Sequence, residues 1–170
     1  MTPRALGAAI AAAVLLADQA AKLAVLARAD AARDALPLGP FLDLVLRWNR
    51  GISFSLFTQD TAAGRAALLA VTLAAVVLLG WWLVSSRSFL SAAGLGAIVG
   101  GALGNALDRL THGAVVDYLD LHAFGRHFFV FNLADAAINV GVALLILDLA
   151  FGARAGERRS GGGAPSDAME

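Results

Sequence analysis

Residues 128–151 read FFVFNLADAAINVGVALLILDLAF, a stretch with the length and the apolar composition of a helix that crosses a membrane. Its first half nevertheless contains Asn132, Asp135 and Asn139. An ionised Asp in the middle of a membrane helix costs about 2.5 to 3.5 kcal/mol on insertion scales, so such acids usually face a bundle interior or a wet cavity. Because the spacing is i, i+3, i+7, the three polar side chains share one helical face. The stretch therefore predicts a membrane helix that needs polar partners elsewhere in the chain.

The composition of the whole chain indicates the same class of protein. Of its 170 residues, 59% are hydrophobic and only 15% are charged, which predicts an α-helical integral membrane protein. The chain has no Cys, so disulfides, thiolate metal sites and cysteine catalysis are excluded. His112, His122 and His127 lack the spacing of a metal site, and we expect them to be hydrogen-bonded or interfacial. The formal net charge of zero argues against a nucleic-acid partner.

Four stretches are long and apolar enough to be predicted as transmembrane helices, namely residues 5–27, 66–84, 89–110 and 128–151. The third stretch carries glycines that permit close helix contact in lipid: Gly94, Gly96, Gly100, Gly101 and Gly104. The end of the chain is rich in Gly, Ala, Ser and Arg and has no periodicity. We expect a single four-helix membrane domain over residues 1–152 and a disordered cytoplasmic tail over residues 153–170.

Between the first two predicted helices, the hydrophobic period changes to two. Residues 41–48 and 52–56 alternate apolar with polar side chains and predict two short strands, joined at Asn49, Arg50 and Gly51. One face of this small β-strand element in the first extracytoplasmic loop is apolar, so we expect it to lie on the membrane surface or against the helices. An irregular loop is the alternative.

Polar residues cluster at corresponding ends of the predicted helices. With four spans, the end of helix one, the end of helix three and the start of helix four must lie on one side of the membrane. The polar residues at these ends are Asp18, Gln19, Lys22, Asn105, Asp108, Arg109, Asn132 and Asp135. Asp18 and Lys22 are spaced i, i+4 and can pair, although a pair that only helps a helix to insert is an equal alternative. The sequence predicts one polar site at one end of the bundle.

The link between helices three and four, residues 111–127, contains a short β-like run over residues 114–119. Asp117 and Asp120 in this link are expected as surface-loop acids, with Asp117 above the polar site. At 1.5 Å per residue, Asp135 is expected about 10 Å into its helix. Arg4 and the arginines after the fourth helix favour cytoplasmic termini, which would place both long loops outside.

Five blocks of sequence resemble the bacterial lipoprotein signal peptidase (signal peptidase II) family, in the order that the family has them. They are DQAAK at 18–22, WNRGISFSLF at 48–57, GGALGNALDR at 100–109, VVDYLD at 115–120 and FNLADAAINVG at 131–141. The resemblance covers nearly all of the chain. Ser53, where the family often has Ala, and the tail after Gly152 depart from the pattern.

This resemblance implies an aspartyl endopeptidase that removes the signal peptide from prolipoproteins by cleaving just before the diacylglyceryl-modified Cys. It implies Asp117 and Asp135 as the catalytic pair, surrounded by Asn105, Arg109 and Asn132. It further implies a substrate-facing and supporting set of Asp18, Lys22, Asn49 and Gly51. The implied partners are lipid-modified prolipoproteins and membrane lipid, and we expect a monomer in the bacterial cytoplasmic membrane with its active site on the extracytoplasmic face.

The chemistry of two paired carboxylates agrees with this reaction. Two carboxyl groups held close together share one proton, because both cannot be ionised at once. One then activates water as a base while the other protonates or polarises the scissile carbonyl. Such a site needs no metal, no cofactor and no thiol.

A small proton-coupled transporter or proton-relay subunit is the alternative function, with Asp18, Lys22 and Asp135 as its relay. A relay should have polar residues through the full depth of the bundle, whereas the other half of this bundle is apolar apart from Asp148. An inverted repeat, typical of transporters, is also absent from the sequence. A structural assembly factor, the third possibility, would leave the costly Asp135 unexplained.

Overall fold

The computed structural model describes residues 1–28, 35–51 and 61–160, with side chains to Phe151. Among these residues the chain forms four helices, each long and apolar enough to cross a membrane. The helices are α1 Pro3–Leu26, α2 Ala62–Ser85, α3 Phe89–His112 and α4 Leu133–Ser160. The prediction of a four-helix membrane protein is confirmed. Helix α4 continues to Ser160, past the expected domain boundary at residue 152, because Ala, Arg and Glu after Gly152 are good helix formers.

Helix α3 lies at the centre of the bundle, between α1 and α4, and its glycines make this position possible. Gly96, Gly100 and Gly104 approach α1, while Gly94 and Gly101 approach α4. A Cβ at Gly96 would lie 2.3 Å from the carbonyl oxygen of Gly7, and one at Gly101 would lie 2.5 Å from that of Ala134. The predicted close helix contacts are therefore confirmed.

A four-stranded antiparallel sheet covers one end of the bundle, in the order β1, β2, β3, β4. Its strands are β1 Leu36–Gly39, β2 Leu42–Asn49, β3 Val115–Ala123 and β4 Arg126–Phe131. The predicted strand over residues 41–48 is confirmed as β2, but its partners are β1 and β3. The second predicted strand, over residues 52–56, lies outside the described residues. The sheet thus joins the two long loops.

The sheet is attached to the end of α1 by a small apolar core. Val25 of α1 is buried together with Val116 and Tyr118 of β3, and Leu44 and Leu46 of β2 pack against them. The β2 register shifts between Leu44 and Arg47, which interrupts the strict alternation that the sequence suggested. Part of the apolar side of β2 thus packs against the helix end, as expected.

The stretch 128–151 is not one helix, and the prediction of its start is wrong. Residues 126–131 form β4, which pairs with β3, and α4 begins only at Leu133. Phe and Val favour strands when a partner strand is available, and Asn132 is a good helix start. Asp135 consequently lies in the first turn of α4 instead of about 10 Å into it. A carboxylate near a helix N-terminus is favoured by about 0.3 to 1 kcal/mol, which offsets only part of the cost expected for this acid.

Candidate active site

The start of α4 is defined by a reciprocal pair of hydrogen bonds between Asn132 and Asp135. The side-chain oxygen of Asn132 accepts from the backbone N–H of Asp135 at 2.9 Å. In return, Asp135 Oδ2 accepts from the backbone N–H of Asn132 at 3.3 Å. This is a capping box, in which the helix start and the acid three residues later satisfy each other's backbone donors. The sequence NLAD thus fixes both the first turn of α4 and the orientation of its acid.

The other free amides at the start of α4 bind side chains from distant elements. The N–H of Leu133 donates to the hydroxyl of Tyr118 in β3 at 3.2 Å. The N–H of Ala134 donates to Asp18 Oδ1 of α1 at 2.9 Å. Since the first amides of a helix have no partner within it, these contacts complete the helix start. They also attach α4 to both β3 and α1 at the residues next to Asp135.

Asp117 and Asp135 are joined through two asparagine side chains. Asn132 Nδ2 donates to Asp117 Oδ1 at 2.7 Å and to Asn105 Oδ1 at 3.2 Å. Asn105 Nδ2 in turn donates to Asp135 Oδ1 at 2.9 Å. The two carboxyl groups therefore lie at opposite ends of one short chain of hydrogen bonds. Amide side chains are suited to this position, since each offers donors to a carboxyl group and an acceptor to its neighbour.

Asn49 fixes the second oxygen of Asp117. Asn49 Nδ2 donates to Asp117 Oδ2 at 3.0 Å, and its Oδ1 accepts from the N–H of Gly51 at 3.0 Å. Arg109 reaches the same segment from α3, donating to the carbonyl of Gly51 at 3.5 Å and to that of Asn105 at 3.3 Å. The segment 49–51 is therefore held against both Asp117 and Arg109.

Asp117 is deeply buried, and its environment alters its acidity. Only 3% of the residue is exposed. Burial raises the pKa of Asp117 from 3.8 to about 6, and the nearby Asp135 carboxyl group acts in the same direction. The hydrogen bonds from Asn49 and Asn132 and the charge of Lys22 oppose this rise in pKa. A carboxyl group with a pKa near neutrality can accept and release protons at physiological pH.

Lys22 occupies the centre of a second, fully buried polar cluster beside the two acids. Its Nζ lies 2.8 Å from Asp18 Oδ2 and 2.8 Å from Asp108 Oδ2. It also donates to Asn105 Oδ1 at 3.0 Å. The pairing of Asp18 with Lys22 that the sequence allowed is therefore present, and Asp108 neutralises the same Lys.

An apolar cavity of about 800 Å³ opens beside Asp135. Its polar lining includes Asn49 and Asn139, and its lining is otherwise mainly apolar, from residues 128–131, Ala136 and Ile138. A smaller cavity of about 330 Å³ shares residues 128–130 and is lined further by Arg47, Asp120 and His127. The larger cavity has the size and the mostly apolar lining of a ligand pocket, with a carboxyl group at its wall.

The structure brings together all nine residues predicted for the site. A continuous set of hydrogen bonds and ion pairs connects Asp18, Lys22, Asn49, Gly51, Asn105, Arg109, Asp117, Asn132 and Asp135. Asn139, which shares a helical face with Asp135, is exposed and lines the larger cavity without joining this network.

The expectation that Asp117 and Asp120 are surface-loop acids is wrong. Both lie on β3, and Asp120 is only 6% exposed. Asp120 Oδ2 lies 2.8 Å from His127 Nδ1, while His112 Nδ1 lies 2.8 Å from the Thr111 hydroxyl. The β-like run predicted over residues 114–119 is the beginning of this strand, whose pairing with β2 and β4 covers its acids.

Sequence reasoning also missed contributions from three polar residues. The sequence placed Asp108 among the polar residues at the helix ends without giving it a role, yet it is buried and also accepts from the N–H of Val116 at 3.0 Å. Gln19 donates to Asp108 Oδ1 at 3.0 Å, and Tyr118 accepts from Leu133. The sequence did contain a signal for a role of Asp108 in the site. Asp108 lies in the GNALDR block, one turn after Gly104 and next to the predicted site residue Arg109.

Comparison with known proteins identifies relatives along most of the chain. Residues 10–151 match the family described as signal peptidase (SPase) II. A lipoprotein signal peptidase of Methylobacterium sp. (strain 4-46) is 50% identical over 149 residues, which cover 87% of this chain and 90% of the relative. The lipoprotein signal peptidase of Methylocella silvestris is 50% identical over 155 residues, covering 91% of each chain.

Two solved structures of bacterial membrane enzymes, determined by the in meso method, are also similar. The one at 2.3 Å resolution has a TM-score of 0.73 and 23% identity, and the match covers 96% of this chain and 94% of that chain. The one at 1.9 Å resolution has a TM-score of 0.71 and 27% identity, and the match covers 84% of this chain and 91% of that chain. The first of these similarities supports the fold of the helices and the sheet.

Proposed function

Because this chain belongs to the signal peptidase II family, we propose that Asp117 and Asp135 are the catalytic pair with which it removes signal peptides from prolipoproteins. The chain is a multi-pass membrane protease of the aspartic type. One observation supports the assignment of the pair above all others: Asn105 and Asn132 connect both carboxyl groups in one chain of hydrogen bonds. Two acids held in this way can share a proton and work as one unit.

Asp117 acts as the general base in this proposal. With a pKa raised by burial to about 6, it is ionised at neutral pH and is still a stronger base than an ordinary carboxylate. It takes a proton from water, whose oxygen adds to the scissile carbonyl carbon. Asp135 supplies a proton as the C–N bond breaks, so that the new N-terminus leaves as an amine. Transfer of a proton from Asp117 to Asp135 then restores the starting state.

The neighbouring side chains hold the pair in the geometry that this reaction needs. Asn49 and Asn132 each occupy one oxygen of Asp117, so the carboxyl group cannot rotate freely. Arg109 holds the carbonyls of Gly51 and Asn105, which keeps the segment after β2 beside the acids. Precise placement of reacting groups is itself a large part of catalysis.

The larger cavity is the proposed binding site for the lipid-bearing part of the substrate. Residues 128–131, three Phe and one Val, line the same cavity as Asp135, so an acyl chain bound against them would bring the neighbouring peptide bond to the acids. We therefore propose that cleavage occurs just before a diacylglyceryl-modified Cys. Apolar lining with few polar groups is typical of sites for lipid-like ligands.

The proposed location is the bacterial cytoplasmic membrane, with both termini in the cytoplasm and the site outside. The sheet, whose strands come from both long loops, lies at one end of the bundle, and the terminal arginines favour the opposite end as the cytoplasmic one. A monomer is sufficient for this proposal, because the nine site residues come from a single chain.

The comparisons do not support a transporter, because the curated relatives are lipoprotein signal peptidases. The polar network also joins the helices at one end of the bundle, while at the other end Asp148 binds Ser88 and Ser91. A proton pathway would need polar groups along the whole depth.

A cleavage assay with purified protein tests the proposed function. We expect it to convert a diacylglyceryl-modified precursor into a product that begins with the modified Cys, as read by mass spectrometry. The matched control is the same precursor without the lipid, which we expect to remain uncut. Equal processing of the two precursors would contradict the proposed use of the apolar cavity, and no processing of either would contradict the activity itself.

A further inference from the structure

The buried cluster around Lys22 uses every donor of the ammonium group. Lys22 Nζ contacts Asp18 Oδ2 and Asp108 Oδ2, each at 2.8 Å, and Asn105 Oδ1 at 3.0 Å. An ammonium group has three N–H donors, so this cluster satisfies all of them. Lys22 is 2% exposed, Asp18 0% and Asp108 1%. The cluster is therefore shielded from bulk solvent.

The two carboxylates of this cluster make matching contacts to the backbone. Asp108 Oδ2 accepts from the N–H of Val116 at 3.0 Å, and Val116 directly precedes Asp117. Asp18 Oδ1 accepts from the N–H of Ala134 at 2.9 Å, and Ala134 directly precedes Asp135. Each acid of the cluster thus binds the amide next to one acid of the proposed catalytic pair.

We propose that Asp18, Lys22 and Asp108 form a positioning frame for the catalytic pair, in which Asp108 sets the backbone of Asp117 and Asp18 sets that of Asp135. Lys22 links the two halves because it binds both acids at once. It also reaches Asn105, which donates to Asp135. The frame rests on the proposed function, since it acts only through Asp117 and Asp135.

Stability alone does not account for this cluster. A buried ion pair must offset the loss of hydration of its charges, and well-packed apolar side chains often stabilise a protein as much. The cluster here sets two carboxyl groups against one ammonium group. Its contacts instead fix the position of β3 relative to α3 and that of α4 relative to α1, at the residues beside the catalytic pair.

Two further contacts restrict the frame to one geometry. Gln19 Nε2 donates to Asp108 Oδ1 at 3.0 Å and to the carbonyl of Gly104 at 3.2 Å, which fixes the orientation of the Asp108 carboxylate. A Cβ at Gly104 would lie 2.5 Å from Asp18 Oδ2, so Gly at this position allows Asp18 its close approach. Neither Gln19 nor Asp108 has a role in the proposed chemistry, which makes both suitable for a test.

The test compares Asp108→Asn with Asp148→Asn in the full-length protein, using the lipidated precursor. Asp148 is a matched control because it too is a hydrogen-bonded acid within a helix, but it lies at the other end of the bundle. A displacement of a reacting group by about 1 Å can cost about 10²-fold in rate. We expect kcat per folded enzyme to fall about 10²-fold in Asp108→Asn with KM changed by less than about threefold. Asp148→Asn should keep the wild-type kcat.

A purely structural role predicts a different result. Asp108→Asn would then lower the thermal midpoint or the membrane abundance, while kcat per folded enzyme stayed at the wild-type value, and this outcome would overturn the frame. If Asp108→Asn does not accumulate, Gln19→Met decides instead, since it removes the donor that orients Asp108 and that also contacts Asp18 and the Gly104 carbonyl, while both carboxyl groups of the frame stay in place. We expect a kcat reduced about tenfold at unchanged KM, in keeping with the loss of one charge-assisted hydrogen bond, whereas a wild-type kcat would overturn the frame.

Asp117→Asn separates this inference from the proposed function. If Asp117→Asn keeps its activity, the catalytic pair itself is wrong. If Asp117→Asn loses activity while folded Asp108→Asn keeps the wild-type kcat, only the positioning frame is wrong.

Discussion

The side-chain amide of Asn132 lies 2.7 Å from Asp117 Oδ1, so the residue that starts helix α4 also binds an acid on strand β3. The same side chain accepts from the N–H of Asp135 through its oxygen. One Asn therefore performs two separable tasks, the capping of α4 and the orientation of Asp117. Different substitutions can remove one task or both.

Asn132→Ser should keep the helix cap but lose the amide that reaches Asp117. Ser is nearly as good a cap as Asn, but Asn132→Ser leaves the buried Asp117 without one of its donors, so we expect the free energy of unfolding to fall by about 1 to 3 kcal/mol from this loss, in Asn132→Ser and Asn132→Ala alike. Asn132→Ala should lose the cap as well, at a further cost of about 1 kcal/mol. Both variants should lose about 10²-fold in cleavage rate because Asp117 Oδ1 is no longer held and only the bond from Asn49 to Oδ2 remains. Unfolding in detergent and the cleavage assay measure the two effects separately, and wild-type activity in Asn132→Ser would contradict the orienting role.

The four helices could be predicted because each contains a predominantly apolar stretch of membrane length, a property of the local sequence alone. The start of α4 could not, because FFVF is as apolar as the helix that follows it. Only the pairing of residues 126–131 with β3 makes them a strand, and that pairing is a long-range contact. Strand β1 could not be predicted either, because its four residues, which include Pro37, are too few to show a hydrophobic period.

The site was predictable to the extent that its residues belong to the recognised sequence blocks. What the sequence did not indicate was the depth of β3. Asp117 and Asp120 occupy a polar link in the sequence, and their burial results from β2 and β4 on either side and the bundle beneath. The role of Asp108 was missed for a similar reason, because the amide it binds, that of Val116, belongs to the following strand.

The cleavage rate should depend on the ionisation of Asp117. Burial raises the pKa of this acid to about 6, so Asp117 is ionised above that pH and protonated below it. A protonated Asp117 cannot take a proton from water, and we expect kcat to fall as the pH decreases through about 6. The measurement is kcat for a lipidated precursor between about pH 4.5 and 8, with folding monitored at each pH. A rate that stays constant down to about pH 4.5 would contradict the assignment of Asp117 as the base.

The orientation in the membrane can be tested with reporter fusions. We expect a fusion after Ser86, in the short link between α2 and α3, to report a cytoplasmic position. A fusion after Gly125, at the turn between β3 and β4, should report an external one, because three membrane helices precede it. The two fusions are controls for each other. An external reporter at Ser86 would reverse the topology and place the site in the cytoplasm.

The central claim is that Asp117 and Asp135 act as one unit, and substitution of each acid by Asn tests it most directly. Asn keeps nearly the same shape but cannot exchange a proton, so either single variant leaves one carboxyl group to do the work of both. General acid or base catalysis contributes about 10² to 10⁴ in rate, and residues that act as a unit are strongly non-additive.

The control for this experiment is Asp148→Asn. Asp120 is less suitable as a control, because it is buried and lies 2.8 Å from His127, so its substitution would also disturb the sheet. The measurement is the cleavage rate of a lipidated precursor by Asp117→Asn, Asp135→Asn, the double variant and the control, at matched membrane abundance. We predict that each single variant loses nearly all activity, that the double variant is scarcely slower than either, and that the control cleaves at the wild-type rate. Substantial activity in Asp117→Asn or Asp135→Asn would contradict the catalytic pair.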